Sequence, residues 1–256
     1  MPESAITSSA ALDALIAAGE RHLVRCVTDA PLTDDPFPYF YATDAFSSAL
    51  YAEMKAQLPA RGLYKNLSET GRSSEGYERR LILHMNAAVA GLSDAQNAFW
   101  RGIVAMLAGS AFASAILKKF APTLERDLGR DPRGLEYGTE VLLVKDLDGY
   151  AIGPHTDIKS RAISIMFYMP SSPRYEKYGT AIYRPDLPGV RSDGSRHFGF
   201  DGFTRLATMP CRANSMFAFQ RNDVSFHGVE PIEEPDCERD VLLYILRWQD
   251  RTARVR

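Results

Sequence analysis

Residues 149–170 read GYAIGPHTDIKSRAISIMFYMP. Two short segments rich in β-branched and aromatic residues, YAIGPHTD and AISIMFYMP, lie either side of a polar turn. Gly149, Pro154 and Pro170 punctuate them, and each is too short for a typical helix, so both read as strands. The same pattern extends outward. TEVLLVKDL precedes it, and TAIYRP, FTRLATMP, NSMFAFQ, SFHGVEPI and DVLLYILRW follow, each bounded by Gly, Pro, Asn or Asp. About eight such strands predict a sandwich or barrel of jelly-roll type over residues 135–250.

Upstream the period changes to that of helices. Leu12, Leu15, Ile16, Leu23 and Val24 mark one from Ser9 to Cys26. PFPYFYATDAF predicts a short strand entering a second helix, capped by Asp44, which runs through SSALYAEMKAQL and stops at Pro59. Residues 60–90 are mixed and polar and end in the apolar run LILHM. Ser93-Asp94-Ala95-Gln96 is a capping box for a third helix, and a fourth begins at Ser110. The expected class is α+β: one domain over 1–256, with 1–134 mainly helical support packed on one face of the barrel sheet.

Composition narrows the functions. The 256 residues are 45% apolar and 24% charged, as expected of a globular chain and not a disordered one. A net charge of -2 offers no global field for nucleic acid or a membrane surface, so neither is an expected partner. Cys26, Cys211 and Cys237 form no C-x-x-C pair, which argues against disulfides or a cysteine zinc site and fits a cytoplasmic setting. The N-terminal apolar stretch is broken by Asp13 and lacks a basic lead, and no window holds 18 uninterrupted apolar residues, so neither a signal peptide nor a membrane span is expected.

The chemistry centres on His155 and Asp157. On a strand, residues i and i+2 share a face, so imidazole and carboxylate project together into the barrel mouth. His227, on another predicted strand, supplies a third ligand. Two histidines and one carboxylate on one side of a metal form the facial triad of non-haem Fe(II) oxygenases. Arg239 opens the last strand and is suited to hold a carboxylate in a bidentate grip. Tyr150 precedes the motif as a candidate site residue, and Lys159 and Arg161 follow it as candidates to draw in an anionic substrate. His84 and His197 show no partner pattern. The segment from Pro185 to Phe203 reads as a lid or mouth loop.

His155-x-Asp157, His227 and Arg239 together resemble the signature of the Fe(II)/2-oxoglutarate-dependent oxygenases. AISIMFYMP is similar to the strand after H-x-D in the prolyl-hydroxylase-like branch, and the resemblance places Tyr168 against 2-oxoglutarate. YGTAIYRP resembles the following strand, with Thr180 where a second glycine is usual. Val241 stands where many members have serine two residues after the arginine, which removes one contact to the distal carboxylate. The resemblance covers about residues 137–248. It implies Fe(II), 2-oxoglutarate and O2 as cofactor and cosubstrates, and oxidation of an unactivated C–H bond of a small metabolite, such as an amino acid or natural-product intermediate. Asp157 fills the position that related halogenases leave to chloride, which favours hydroxylation. The mixed region often folds over the barrel mouth in this superfamily, making Arg72, Arg79, Arg80, Tyr64 and Asn66 candidate substrate contacts. Alternatives are a protein side-chain hydroxylase, a cupin-like metal-binding protein without 2-oxoglutarate turnover, and zinc hydrolysis with the same ligands.

Overall fold

The computed structural model describes residues 9–70 and 77–249. All eight strands expected in the C-terminal half form: β4 (Tyr137–Leu147), β5 (Ile152–His155), β6 (Arg161–Tyr168), β7 (Thr180–Pro185), β8 (Phe203–Met209), β9 (Ser215–Gln220), β10 (His227–Val229) and β11 (Glu238–Trp248). Three more come from the N-terminal half: β1 (Tyr39–Thr43), β2 (Lys65–Asn66) and β3 (Arg80–His84). They assemble into a seven-stranded sheet in the order β1-β9-β6-β11-β4-β3-β2 and a four-stranded sheet in the order β5-β10-β7-β8. Every named strand pairing is antiparallel.

Alternation gives the large sheet two working faces. Ile163, Ile165 and Phe167 of β6 and Leu242, Tyr244 and Leu246 of β11 join the core shared with the helices. Their neighbours Tyr168, Val241 and Ile245 join a second core, inside the barrel, with Phe217 and Phe219. The helices α1 (Ser9–Asp29), α2 (Ser48–Ala56), α3 (Asp94–Ala108) and α4 (Ser110–Leu128) cover the first face. Residues 94–128 are apolar enough for a membrane span by length and composition. They are nonetheless two helices, broken at Gly109 where the backbone turns extended, and Trp100, Ile103, Phe112 and Phe120 are buried in the helix-side core.

Two local expectations need correction. Ser47, not Asp44, caps α2, its hydroxyl accepting from the Leu50 amide; Asp44 has a left-handed backbone (φ 53), outside the cap geometry. The region 1–134 is also more than helical support, since β1, β2 and β3 extend the large sheet at both ends. The capping box at Ser93 and Gln96 forms as its sequence predicts.

Candidate metal centre

Pairing of β5 with β10 sets His155 directly opposite His227, with ring centroids 4.3 Å apart. Each ring is fixed by a backbone carbonyl. His155 Nδ1 donates to Gly153 O at 3.0 Å, and His227 Nδ1 donates to Ser225 O at 2.9 Å. A carbonyl only accepts, so the proton sits on Nδ1 in both rings and Nε2 is left as a ligand. Burial, and for His155 also the facing His227, holds both imidazoles below their ordinary pKa, in the neutral form a metal needs.

Asp157 lies just past the end of β5, so strand alternation does not aim it. Backbone anchors do. Arg221, fully buried, donates through Nε to Asp157 O at 2.9 Å and through an η nitrogen to Ser192 O at 3.3 Å. The Thr156 hydroxyl donates to the same Ser192 carbonyl at 3.0 Å. The Asp157 carboxylate accepts from Arg161 at 2.5 Å and from Ser164 at 2.5 Å. Burial alone would raise its pKa, but Arg161, the two histidines and the Ser164 hydroxyl outweigh that and hold the carboxyl well below the usual range. One ligand atom from each of His155, Asp157 and His227 lies within 4.8 Å of the other two, and all three residues are buried. Two neutral imidazoles and one carboxylate on one side of a cavity fit Fe(II) and leave further coordination positions open.

The same cavity reaches Arg239, Val144, Val241 and Thr180 inside the barrel. Arg239 is 1% exposed. It donates to Asp146 Oδ2 at 2.5 Å and to Thr180 Oγ1 at 3.4 Å, and its Nε is buried without a partner. Arg80 grips the same Asp146 with two bonds, at 2.6 and 2.9 Å. Two guanidiniums share one carboxylate, so this buried group carries a net positive charge turned to the cavity. Tyr168 lies beside Arg239, 5.3 Å from its guanidinium, and donates to Thr180 Oγ1 at 2.7 Å. Thr180 thus places a hydroxyl beside Arg239 in the cavity wall.

No protein-family model and no curated protein matches the sequence. Solved structures do match in fold. A prolyl-4-hydroxylase from Pseudomonas putida is 17% identical, with 89% of this chain and 99% of that chain aligned at a TM-score of 0.51. A prolyl hydroxylase from Trichoplax adhaerens, in complex with a hypoxia inducible factor oxygen degradation domain peptide fragment, is 13% identical over 96% of both chains at 0.51. The fold is a double-stranded β-helix, like that of these two prolyl hydroxylases.

Within this fold the other expected residues divide. Arg80 and Arg161 line the metal cavity. Tyr150 stands one step back, its ring 4.4 Å from the Arg80 guanidinium. Tyr64 belongs to the helix-side core, where Lys145 lies 5.3 Å from its ring. Asn66 donates to the Glu78 carbonyl at 2.8 Å, and the exposed Arg79 approaches Asp148 at 4.0 Å; neither lines the metal cavity or the space just outside it. Arg72 lies outside the described residues.

Sequence reasoning missed Asp146, Thr180, Ser164 and Arg221, whose partners lie 7 to 93 residues away. It also passed over His197. An isolated bridge pairs His197 with His155, the two rings are 4.5 Å apart, and the Tyr77 hydroxyl bonds His197 Nδ1. His197 therefore sits at the cavity mouth, on the loop expected to be a lid.

Proposed function

We propose that this protein is an Fe(II)- and 2-oxoglutarate-dependent dioxygenase that oxidises a C–H bond of a small molecule. The observation that carries the reading is one cavity lined by both the His155–Asp157–His227 triad and the Arg239–Thr180 pair, with Tyr168 bonded to Thr180 behind it. Bound at the triad, Fe(II) would couple the oxidative decarboxylation of 2-oxoglutarate to oxidation of the substrate by O2.

The chain's own residues do the rest. His155, Asp157 and His227 would hold the metal by one side. Ser225, Gly153 and Ser164 fix their orientations. Arg239 and Thr180 would take the distal carboxylate of the cosubstrate, with Arg80 adding positive charge through the shared Asp146. The walls Val144, Val241, Leu243 and Phe219 keep the site dry, which strengthens each of these charge-assisted bonds.

Outside the triad a second chamber of about 550 Å³ opens, bordered by Tyr77, Arg80, Arg161, His197 and Arg247. Its size is that of a small-ligand pocket. The contact of Tyr77 with His197 closes part of its rim, which favours a small molecule over an extended peptide.

The test is anaerobic titration of the Fe(II)-loaded protein with 2-oxoglutarate, following the visible band of the iron–cosubstrate chelate. Wild type should bind with a single saturable curve. Arg239→Ala should raise the dissociation constant at least about thirty-fold, as loss of one partner of a desolvated charge pair requires, with Fe(II) affinity unchanged. Equal 2-oxoglutarate affinity in the two proteins would reject the reading and leave a metal-binding cupin-like protein.

A further inference from the structure

We infer that the primary substrate carries a carboxylate, and that Arg161 is the residue that receives it. The inference rests on the proposed function and names the substrate class for that same site.

The first support is how Arg161 comes to face the cavity. Along β6, Ser164 and Met166 line the cavity while Ile163, Ile165 and Phe167 face the helices. Unbroken alternation would put Arg161 on the helix side. The register with β11 shifts between Leu246 and Arg247: Leu246 pairs with Ile163, but Arg247 pairs with Arg161, leaving Ala162 unpaired. This is a bulge, and Ala162 joins the helix-side core beside Ile163. The extra residue turns Arg161 inward. It also sets two arginines directly opposite each other, an arrangement that costs stability unless something offsets it. Glu140 pairs with Arg247 at 2.5 Å, and Asp157 is the carboxylate paired with Arg161.

The second support is charge. With the site loaded, iron and the guanidiniums of Arg80, Arg161 and Arg239 bring five positive charges. Asp157, Asp146 and the 2-oxoglutarate dianion bring four. The histidines carry one proton each, on the Nδ1 that faces a carbonyl, and leave Nε2 for the metal, so they are neutral. One positive charge is left over in a largely buried site, and a monoanion would balance it.

The third support is location. Asp157 would share its charge with the metal, so its claim on Arg161 weakens when the site is loaded. Arg161 borders both the metal cavity and the outer chamber, and its Nε is buried without a partner. The other guanidiniums of the outer chamber have their own carboxylates, Asp146 for Arg80 and Glu140 for Arg247. A carboxylate in the outer chamber would meet Arg161 within reach of the metal and so place the adjoining carbons for oxidation.

The probe is acetate, with acetamide as its neutral match. The protein is loaded with Mn(II) in place of iron and saturated with 2-oxoglutarate. Paramagnetic relaxation of the probe's methyl protons then reports occupancy near the metal without any turnover. 2-Oxoglutarate binding is measured first, by its displacement from the Arg239-dependent site, so that failure of the proposed function shows as failure of that step. Acetate should be relaxed at least fivefold more than acetamide, Arg161→Gln should abolish the difference, and Arg161→Lys should keep part of it. The metal affinity of each variant is measured alongside, because Arg161 touches a ligand. Equal relaxation by acetate and acetamide in the wild type, or an unchanged acetate effect in Arg161→Gln with metal and 2-oxoglutarate bound, would overturn the assignment.

Discussion

Replacing Asp146 with asparagine tests the charge arrangement inside the barrel. Asp146 is fully buried and is the carboxylate that both Arg80 and Arg239 grip. Asp146→Asn keeps the shape and removes the charge, leaving two guanidiniums facing each other without an anion. Removing one partner of a buried ion pair costs roughly 3–5 kcal/mol. For a chain of this size each kcal/mol moves Tm by about 2–4 °C, so the variant should melt roughly 6–20 °C below wild type. 2-Oxoglutarate would put a carboxylate back beside the same arginines. At a hundredfold excess over Kd a ligand stabilises by about 2.7 kcal/mol, and tighter binding at the same ligand concentration stabilises by more. The 2-oxoglutarate-induced rise in Tm should therefore be larger in Asp146→Asn than in wild type. Scanning calorimetry with and without 2-oxoglutarate, at fixed metal concentration, measures both effects. A variant that melts within about 2 °C of wild type, or gains no more from 2-oxoglutarate than wild type does, would refute the shared-carboxylate account.

Gly194 has a left-handed backbone (φ +87), and a Cβ there would come within 2.3 Å of the Asp157 carbonyl oxygen. Gly194→Ala should push the ligand's backbone aside and weaken metal affinity about tenfold or more, the usual cost of disturbing a ligand's support; calorimetric metal titration would show it, and an unchanged affinity would count against the loop as that support. In metal-free protein, burial keeps His155 and His227 neutral when folded, while unfolded histidines take up protons as pH falls through about 6.5. The unfolded state then binds more protons, so Tm should fall between pH 7 and 5, and a flat profile would contradict the buried neutral pair.

The barrel was legible because its strands carry a period of two and end in turn residues, and because an H-x-D at a strand end is a local pattern. Arg239 was legible for a related reason: an arginine opening an apolar strand is out of place unless it meets an anion. Asp146 gave no such signal. It sits in KDLD beside a second acid, Asp148, and only the registers of β3 and β11 against β4 put Arg80 and Arg239 across from it. Arg161 was visible as a nearby cation, but its inward direction depends on a bulge that spacing does not reveal. Tyr64 was misplaced for the opposite reason. Its place in the mixed polar region suggested the mouth, yet Tyr64 precedes β2 and packs into the core on the helix side. Lys145, next to Asp146 in sequence, falls on that side too, bound to Asp240 at 2.6 Å and Glu238 at 3.1 Å.

The two faces of the large sheet give β11 a divided inheritance. Arg239, Val241 and Leu243 border the reacting groups, while Leu242, Tyr244 and Leu246 border α-helices. Neighbouring codons in one strand thus answer to different selective demands. Drift at Leu242 or Tyr244 is filtered by whether the chain stays folded, and drift at Val241 or Leu243 by what the pocket admits. A lineage could change its substrate through the odd-numbered positions while the even-numbered ones held the scaffold constant, so new chemistry need not wait for a more stable protein.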